Sequence, residues 1–287
     1  MTLRERVAGW LGRRPQPVEA PPVPPQPYDV LVFPIVSWDY LFQRPQHLSL
    51  EFARRGHRVF YFSTDFVPDT FGDPAVREAA PNVFTAMLPG GVRPPDIYRD
   101  VPTELQAAAM ESGVRRLRER FGMRATLSIV DYPFWGPVVR QLRNNVTLYD
   151  CMDDYASFAN SGRPAREMER DVVLGADLAV CSSAHLQQKL FRETGREPAL
   201  VRNGVEAERY AARPSRLALE PDGKTVGYWG ATAEWTDIEL LMHAARTLPD
   251  VRFVLIGDVL RIDVSELKAL PNVTMLGRVE YERLPEY

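Results

Sequence analysis

Short runs rich in β-branched and aromatic residues alternate with helical patterns from Tyr28 onward, and this alternation restricts the fold more than any other feature of the sequence. It is typical of a parallel sheet with helices on both faces, because parallel strands need a crossover connection that is usually helical. The strands predicted in the first part of the chain are YDVLVFPI from Tyr28, HRVFYFS from His57, NVFTAML from Asn82, ATLSIVDY from Ala125, NNVTLYD from Asn144, ADLAVCS from Ala176 and PALVRNGV from Pro198.

The longest predicted helix runs from Thr103 to Phe121 and stops before Gly122, a residue that favours helix termination. Its apolar residues recur at helical spacing, and we expect the resulting stripe to face the core. The stripe consists of Leu105, Ala108, Ala109, Val114, Leu117 and Phe121.

A polar, proline-containing stretch over residues 206–223 interrupts the alternation, which then starts afresh. The second series comprises KTVGYWGA from Lys224, a helix over 237–246, RFVLIGDV from Arg252, a short helix over 265–269 and NVTMLGRV from Asn272. We therefore predict two α/β domains, over 28–205 and 224–287, joined by residues 206–223. A doubly wound domain usually has five or six strands, so we expect the second domain to be incomplete.

Composition excludes several classes of protein. The chain has 287 residues, a net charge of −3 and 45% hydrophobic residues, which gives no electrostatic reason to expect a nucleic-acid partner. The two cysteines, Cys151 and Cys181, lie in apolar runs, and this favours a reduced compartment such as the cytoplasm. The sequence has no run of about 18 apolar residues that would span a membrane.

The first 27 residues are predicted to form a basic tail and a proline-rich linker. Residues 2–14 place Leu3, Val7, Trp10 and Leu11 among Arg4, Arg6, Arg13 and Arg14. Such a segment could touch an anionic membrane surface as a short amphipathic helix. The alternative is a frayed basic tail.

Arg44 and His47 lie at the predicted start of the helix after the first strand, the end at which the helix dipole disfavours cations. A guanidinium beside a helix N-terminus forms an anion site, so one interpretation is that Arg44 binds a phosphate or carboxylate ligand. The alternative is that Arg44 pairs with Asp39 or Glu51 on the surface.

Aspartates follow two further strands. Asp131 opens the stiff loop DYPFWGP, where it could bond a sugar hydroxyl or act as a general base while Tyr132, Phe134 and Trp135 stack on a sugar ring. The alternative is a turn aspartate above a hydrophobic plug.

The next strand ends in YDCMDDYASF, where Asp150, Asp153 and Asp154 crowd one tip. Crowded carboxylates repel, so we expect a cation, arginines or substrate hydroxyls to offset them. A metal site is weakly indicated, and capping of the next helix by Asp153 or Asp154 is an equal alternative.

Polar or glycine-containing turns follow the later strands. Ser183 is placed to cap a helix, and Asn203 with Gly204 can expose backbone N–H groups at a sharp turn. In the second series, Gly227 and Gly230 allow close approach of a ligand or of backbone. No dinucleotide-binding, P-loop, Ser-His-Asp or CxxC pattern occurs, which argues against dehydrogenases and kinases.

Seven segments in order resemble the GT-B glycosyltransferases of the family 4 (group 1) kind, especially the bacterial teichuronic-acid-biosynthesis type. The resemblance extends from Tyr28 to Tyr287. The segments are WDYLFQRPQHLSLEFARRGHRVFYF, YDCMDDYASF, GADLAVCSSAHL, VRNGVEAERY, VGYWGATAEWTDIELL, PDVRFVLIGDV and LPNVTMLGRVEYERLPEY.

The resemblance implies an α/β fold of two Rossmann-like doubly wound domains (GT-B), the second incomplete here, which face each other across a cleft. It implies a nucleotide-sugar donor, a carbohydrate or lipid-linked acceptor in cell-envelope or exopolysaccharide synthesis, no cofactor and no obligatory metal. The catalytic candidates at the acceptor hydroxyl are Asp131 and His47. The acceptor-binding candidates are Trp38, Asp39, Arg44, Asp153 and Asp154, and the donor-binding candidates are Asn203, Gly204, Gly230, Asp237, Gly257 and Arg278.

Two departures from the family pattern weaken the expected donor site. Many members carry an arginine and a lysine after the glycine of the first strand in the second domain, whereas here Ala231 and residues 235–237 occupy this region and the next basic residue is Arg246. The family's glutamate-rich donor segment would lie beyond Tyr287. A scaffold protein that kept only the acceptor domain, or a nucleotide-sugar epimerase, is therefore an alternative.

Overall fold

The computed structural model describes residues 28–155, 163–211 and 223–287. The predicted tail and linker over 1–27 and most of the predicted interdomain connection lie outside these residues. The chain divides into two compact units, Met1–Gly204 and Val205–Tyr287.

The first unit is an eight-stranded sheet with helices between its strands. Its elements are β1 Asp29–Phe33, α1 Arg44–Arg54, β2 Val59–Phe62, β3 Ala75–Ala80, β4 Val83–Met87, α2 Glu104–Arg120, β5 Thr126–Val130, a 3-10 turn Pro133–Trp135, α3 Gly136–Val139, β6 Asn145–Cys151, α4 Arg163–Gly175, β7 Leu178–Cys181, α5 Ala184–Thr194 and β8 Ala199–Leu200.

The strand order of this sheet is β3-β4-β2-β1-β5-β6-β7-β8, and all neighbours are parallel except β3 and β4. The chain therefore builds outward from β1 in one direction through β2 and β4, and then in the other direction from β5. The reversal leaves a crevice beyond the carboxyl ends of β1 and β5, where ligands of doubly wound sheets bind.

Alternate residues of each central strand pack into cores on opposite faces of the sheet. Leu31 and Phe33 belong to the core beneath α2, α4 and α5, whereas Val30 and Val32 pack with residues of α1 such as Ala53. This burial on both faces explains why the strands read as continuous apolar runs.

Two predicted features of the first unit differ from the structure. The antiparallel edge strand β3 was not predicted, because its sequence AVREAA carries two charged residues and little β-branched character. The predicted buried stripe of α2 is partly wrong: Leu105 is 69% exposed and Ala108 is also exposed, whereas Ala107 and Met110 are buried. Gly113 fixes this orientation, because its Cα lies against Pro89.

The second unit contains a three-stranded parallel sheet in the order β11-β10-β9. Its apolar core lies between that sheet and two helices and includes Phe253, Leu255, Ala245 and Leu267. The elements are α6 Ala207–Ala211, β9 Lys224–Trp229, α7 Ile238–Thr247, β10 Val251–Ile256, α8 Ser265–Lys268, β11 Val273–Gly277 and a 3-10 helix Tyr281–Glu286. Within the described residues, no helix is both long and apolar enough to cross a bilayer.

Candidate functional site

Three ionisable side chains lie near one another at the carboxyl ends of β5 and β6. Asp131 directly follows β5, Asp150 lies near the carboxyl end of β6, and Arg44 is the first residue of α1. The three belong to separate segments of the chain, and the sheet order brings those segments to one edge.

Arg44 forms a buried ion pair with Asp150. Its Nε lies 2.8 Å from Oδ2 of Asp150, and the two side chains are 8% and 1% exposed. Its Nη1 also donates to the Arg202 carbonyl at 3.3 Å and to Oδ1 of Asn203 at 3.2 Å. The charge at the start of α1 is therefore compensated by Asp150 within the protein, and both partners that the sequence suggested, Asp39 and Glu51, are wrong.

Asp131 has a fully buried carboxyl group whose two oxygens have no hydrogen-bond partner among the described residues. Its backbone is held firmly, because its N–H donates to the Phe33 carbonyl at 3.0 Å and its carbonyl accepts from the Tyr155 hydroxyl at 2.6 Å. Oδ1 of Asp150 is also buried without a partner in the described part of the chain. Three unpaired carboxyl oxygens at one strand edge are unusual in a native protein and indicate a functional site.

The surroundings raise the pKa of both carboxyl groups. Burial raises the pKa of Asp131 well above its ordinary value, the nearby charge of Asp150 adds to this, and Arg44 opposes it. Burial also raises the pKa of Asp150, against the hydrogen bond from Arg44. Since Arg44 contacts Asp150 directly, we assign the negative charge of the pair to Asp150 and the proton to Asp131.

The aromatic residues after Asp131 are core residues. Tyr132, Phe134 and Trp135 are 5%, 0% and 0% exposed, and Nε1 of Trp135 donates to the Pro34 carbonyl at 2.9 Å. The hypothesis that they stack on a sugar ring is therefore wrong, and the alternative of a hydrophobic plug is confirmed for these three side chains. Asp131 itself differs from a turn aspartate, because its carboxyl group accepts from no backbone N–H in the described part of the chain.

The other acceptor-side candidates near α1 have partners of their own. The Trp38 ring packs edge-on against Tyr61 with centroids 5.2 Å apart, and the His47 ring packs edge-on against Phe42 at 4.6 Å. Asp39 is exposed and pairs with Arg77 at 2.8 Å. Their roles in acceptor binding stay predictions.

The acidic tip after β6 is neutralised by basic side chains, as expected from the crowding of its carboxylates. Arg44 compensates Asp150, and Nζ of Lys189 lies 2.9 Å from Oδ1 of Asp154. Asp153 is exposed. The alternative that Asp153 or Asp154 caps the next helix involves residues 156–162, which lie outside the described residues.

Lys189 also anchors a buried network that sequence reasoning missed. Its Nζ lies 2.9 Å from Oε2 of Glu169, and Oε1 of Glu169 accepts the Tyr149 hydroxyl at 2.8 Å. The sequence did contain a pattern that predicts this network. Lys189 follows the buried Leu186 by three residues, and Glu169 precedes the buried Val172 by three. This spacing places both charged residues on apolar helix faces, where they need a partner.

Asn203 and Gly204 were predicted to bind the donor, and the structure places Asn203 beside Arg44 in the first unit. Ser183 caps α5, since its hydroxyl accepts the Leu186 N–H at 3.3 Å. This confirms the capping interpretation of Ser183.

The donor-side candidates of the second unit have structural roles. A Cβ at Gly257 would lie 2.0 Å from the Gly230 carbonyl oxygen, so these strand ends need glycine to approach each other. Asp237 caps α7 by accepting the Leu240 N–H at 2.8 Å. Arg278 is 4.0 Å from Asp258. Donor binding by these four residues stays a prediction.

Comparison with known proteins gives a likeness in structure only. No protein-family model matches the sequence, and neither does the sequence of any curated protein. The catalytic domain of starch synthase IV from Arabidopsis thaliana, bound to ADP and acarbose, matches 90% of this chain and 76% of its own with a TM-score of 0.60 and 9% identity.

Two further solved structures match to a similar extent. HepE from Anabaena, in complex with UDP and glucose, covers 90% of this chain and 71% of its own with a TM-score of 0.56 and 14% identity. A UDP-forming α,α-trehalose-phosphate synthase from Burkholderia vietnamiensis covers 90% of this chain and 75% of its own with a TM-score of 0.55 and 15% identity. The predicted fold class is confirmed: the chain has the α/β fold, with Rossmann-like units, of the GT-B glycosyltransferases.

Proposed function

We propose that this protein is a glycosyltransferase that moves a sugar from a nucleotide-sugar donor to a hydroxyl group of a carbohydrate or lipid-linked acceptor. The buried, unpartnered carboxyl of Asp131 at the sheet's reversal point carries the proposal. The likeness to GT-B structures with bound ADP or UDP supports the donor class.

The charges at the site favour a neutral hydroxyl over a phosphate as its ligand. Asp131, Asp150 and Arg44 together contribute two carboxyl groups and one guanidinium, and that guanidinium already binds Asp150. Unpaired carboxyl oxygens accept hydrogen bonds, and hydroxyl groups donate them. We therefore replace the expected anion site at Arg44 by a site for an acceptor hydroxyl.

Asp131 is the proposed general base. Its raised pKa makes it a stronger base than an ordinary aspartate, which suits proton removal from a hydroxyl near neutral pH. Since the carboxyl is fully buried, the acceptor reaches it only after covering side chains move. Asp150 stays ionised beside Arg44. Asp131 accepts the hydroxyl proton only in its ionised form, so it first releases its own proton to solvent as the acceptor displaces the covering side chains.

The sequence resemblance favours a role in bacterial cell-envelope or exopolysaccharide synthesis of the teichuronic-acid type. The two cysteines of the chain, both in apolar runs, favour the cytoplasm as its location. The basic N-terminal segment favours contact with the inner face of the membrane. On the donor side, Gly-turn N–H groups and helix N-termini would stabilise the leaving diphosphate, because no arginine or lysine follows Gly230 before Arg246.

Titration calorimetry with a panel of nucleotide sugars and bare nucleoside diphosphates tests the donor class. The panel is applied to this chain and to a version extended to the stop codon of its reading frame. We expect at least one nucleotide sugar to bind at micromolar to millimolar Kd. No binding to either version would favour the scaffold alternative, and isomerised nucleotide sugar without transfer would favour an epimerase.

A further inference from the structure

We propose that the first unit docks on an anionic membrane surface through the edge of its sheet at which the strands begin. The contact is made by five arginines, named here the arginine edge: Arg118, Arg120, Arg124, Arg140 and Arg143. This surface lies at the opposite ends of the strands from Asp131, and the proposal does not rest on the proposed function.

Hydrogen bonds join the segments that carry these arginines. Nη1 of Arg118, in the last turn of α2, donates to the Arg143 carbonyl at 2.6 Å. The next residue, Asn144, accepts from the backbone N–H of Thr126 at 3.1 Å, two residues after Arg124. The end of α2, the start of β5 and the segment before β6 therefore come together at one edge of the sheet. Arg140 lies in this last segment, three residues before Arg143.

Four of these side chains, those of Arg120, Arg124, Arg140 and Arg143, are exposed and make no ion pair among the described residues. The nearby acids are already engaged. Glu119 lies 3.5 Å from Arg115, and Asp29 lies 2.7 Å from Arg58. Asp177, just before β7, accepts from the backbone N–H of Thr147, which leaves its negative charge in place, so it offsets one of the arginines. The edge therefore carries an excess of positive charge although the whole chain has a net charge of −3.

Helix dipoles account for only part of this charge. The helices α2 and α3 both end at this edge, and arginines near helix C-termini are stabilising. Two such ends together carry at most about one negative charge. Four exposed guanidinium groups exceed this, so most of their charge is available to a partner.

The path of the chain adds a second observation. The described chain enters at this same edge, because the N–H of Asp29 donates to the Ala125 carbonyl at 3.1 Å, next to Arg124. The preceding sequence carries four arginines among apolar residues within its first 14 positions, followed by the proline-rich linker. These four arginines add to the positive charge of the sequence that leads into this edge.

The polarity of the sheet suits this arrangement. Asp131 lies beyond the far end of β5 from Arg124, seven residues later, which is about 23 Å along an extended strand. A membrane bound at the arginine edge would leave the strand ends with Asp131 and Asp150 accessible. Docking and ligand binding can then occur together.

Vesicle flotation with the full chain tests the proposal. Vesicles of phosphatidylcholine with 30% phosphatidylglycerol are compared with pure phosphatidylcholine. We expect binding only to the anionic vesicles, and its loss at 0.5 M NaCl because salt screens exposed charges. Each arginine near such a surface contributes about a fivefold change in partitioning, so the variant R120Q/R124Q/R140Q/R143Q should bind at least about 100-fold more weakly.

A matched control removes the same charge from other exposed positions, in the variant R93Q/R99Q/R166Q/R261Q. It should bind within about threefold of the wild type, and circular dichroism should find both variants folded. Equal losses in the two variants, or no binding by the wild type, would overturn the proposal. Comparable binding to a single-stranded RNA at the same salt would also overturn it in favour of a nucleic-acid surface.

Discussion

At the scale of single residues, the buried carboxyl of Asp131 links function to a cost in stability. An unpartnered buried polar group costs about 1–3 kcal/mol, and a charged one costs more. A carboxyl that binds no group among the described residues is explained if its partner is a ligand. Arg44 is the contrasting case, because its charge has found a protein partner in Asp150.

The variant Asp131→Asn should separate stability from activity. The folded protein holds a proton on Asp131 above the pH at which the unfolded chain releases it, because its folded pKa is raised. The folded state then binds more protons than the unfolded state above about pH 4, so stability falls as pH rises, by up to about 1.4 kcal/mol per pH unit. Asparagine cannot ionise, so the variant should be more stable than the wild type at pH 8.

Urea unfolding at pH 5 to 8 checks this, with Asp39→Asn as the control at an exposed carboxyl. The increase in the free energy of unfolding caused by Asp131→Asn should grow with pH. Sugar transfer by this variant should fall by at least about 100-fold. If the stability of Asp131→Asn and that of the wild type changed with pH in the same way, the assignment of the proton to Asp131 would be wrong.

The Arg44–Asp150 pair should be energetically coupled far more strongly than a surface pair. Arg44→Ala leaves Asp150 buried without compensation, and breaking such a pair costs about 3–5 kcal/mol. A double-mutant cycle over Arg44→Ala and Asp150→Asn measures the coupling in the free energy of unfolding. The matched control is the cycle over Arg77 and Asp39, which are also 2.8 Å apart but exposed and should couple by about 0–1 kcal/mol. Equal couplings in the two cycles would contradict burial of the Arg44 pair.

At the scale of helices and strands, local chemistry explains most boundaries. Asp237 accepts the Leu240 N–H and so satisfies a donor that the first turn of α7 would otherwise leave unpaired. Gly257 and Gly230 allow two strand ends to approach each other. Both features were assigned to donor binding from the sequence, so their structural roles must be separated from that function.

Replacement of Asp237 makes this separation. Asp237→Ala should destabilise the protein by about 1 kcal/mol, whereas Asp237→Ser should restore most of the loss because serine also caps helices well. Thermal unfolding measures the stability, and nucleotide titration is done on both variants. A role in capping alone predicts unchanged Kd in Asp237→Ser. A Kd that rises equally in the two variants would instead support a direct contact with the donor.

The sequence predicted elements better than contacts. Strands such as β1 and β10 are rich in apolar residues, a property of local composition, and they lie where predicted. The face that α2 buries depends on Pro89, a residue distant in sequence, and the partner of Arg44 is 106 residues away. No pattern in a single sequence specifies such pairings, so the sequence singled out Asp131, Asp150 and Arg44 as candidates but not their partners.

At the scale of the whole molecule, the fold and the candidate site were identified from independent observations. The likeness to GT-B structures concerns the path of the chain at 9–15% identity, whereas the site rests on burial and charge in this chain alone. The reversal of strand order between β1 and β5 connects the two, because it brings the segments of Asp131, Asp150 and Arg44 to one edge of the sheet.

The most direct test is sugar transfer itself, measured by mass spectrometry of products formed from a panel of nucleotide sugars and neutral or phosphorylated acceptors. It uses this chain and the version extended to the stop codon, each with and without Asp131→Asn. We predict a glycosylated neutral acceptor and a released nucleoside diphosphate, both reduced at least about 100-fold by the substitution. Absence of transfer from every donor by both versions, or transfer that Asp131→Asn leaves unchanged, would contradict the account.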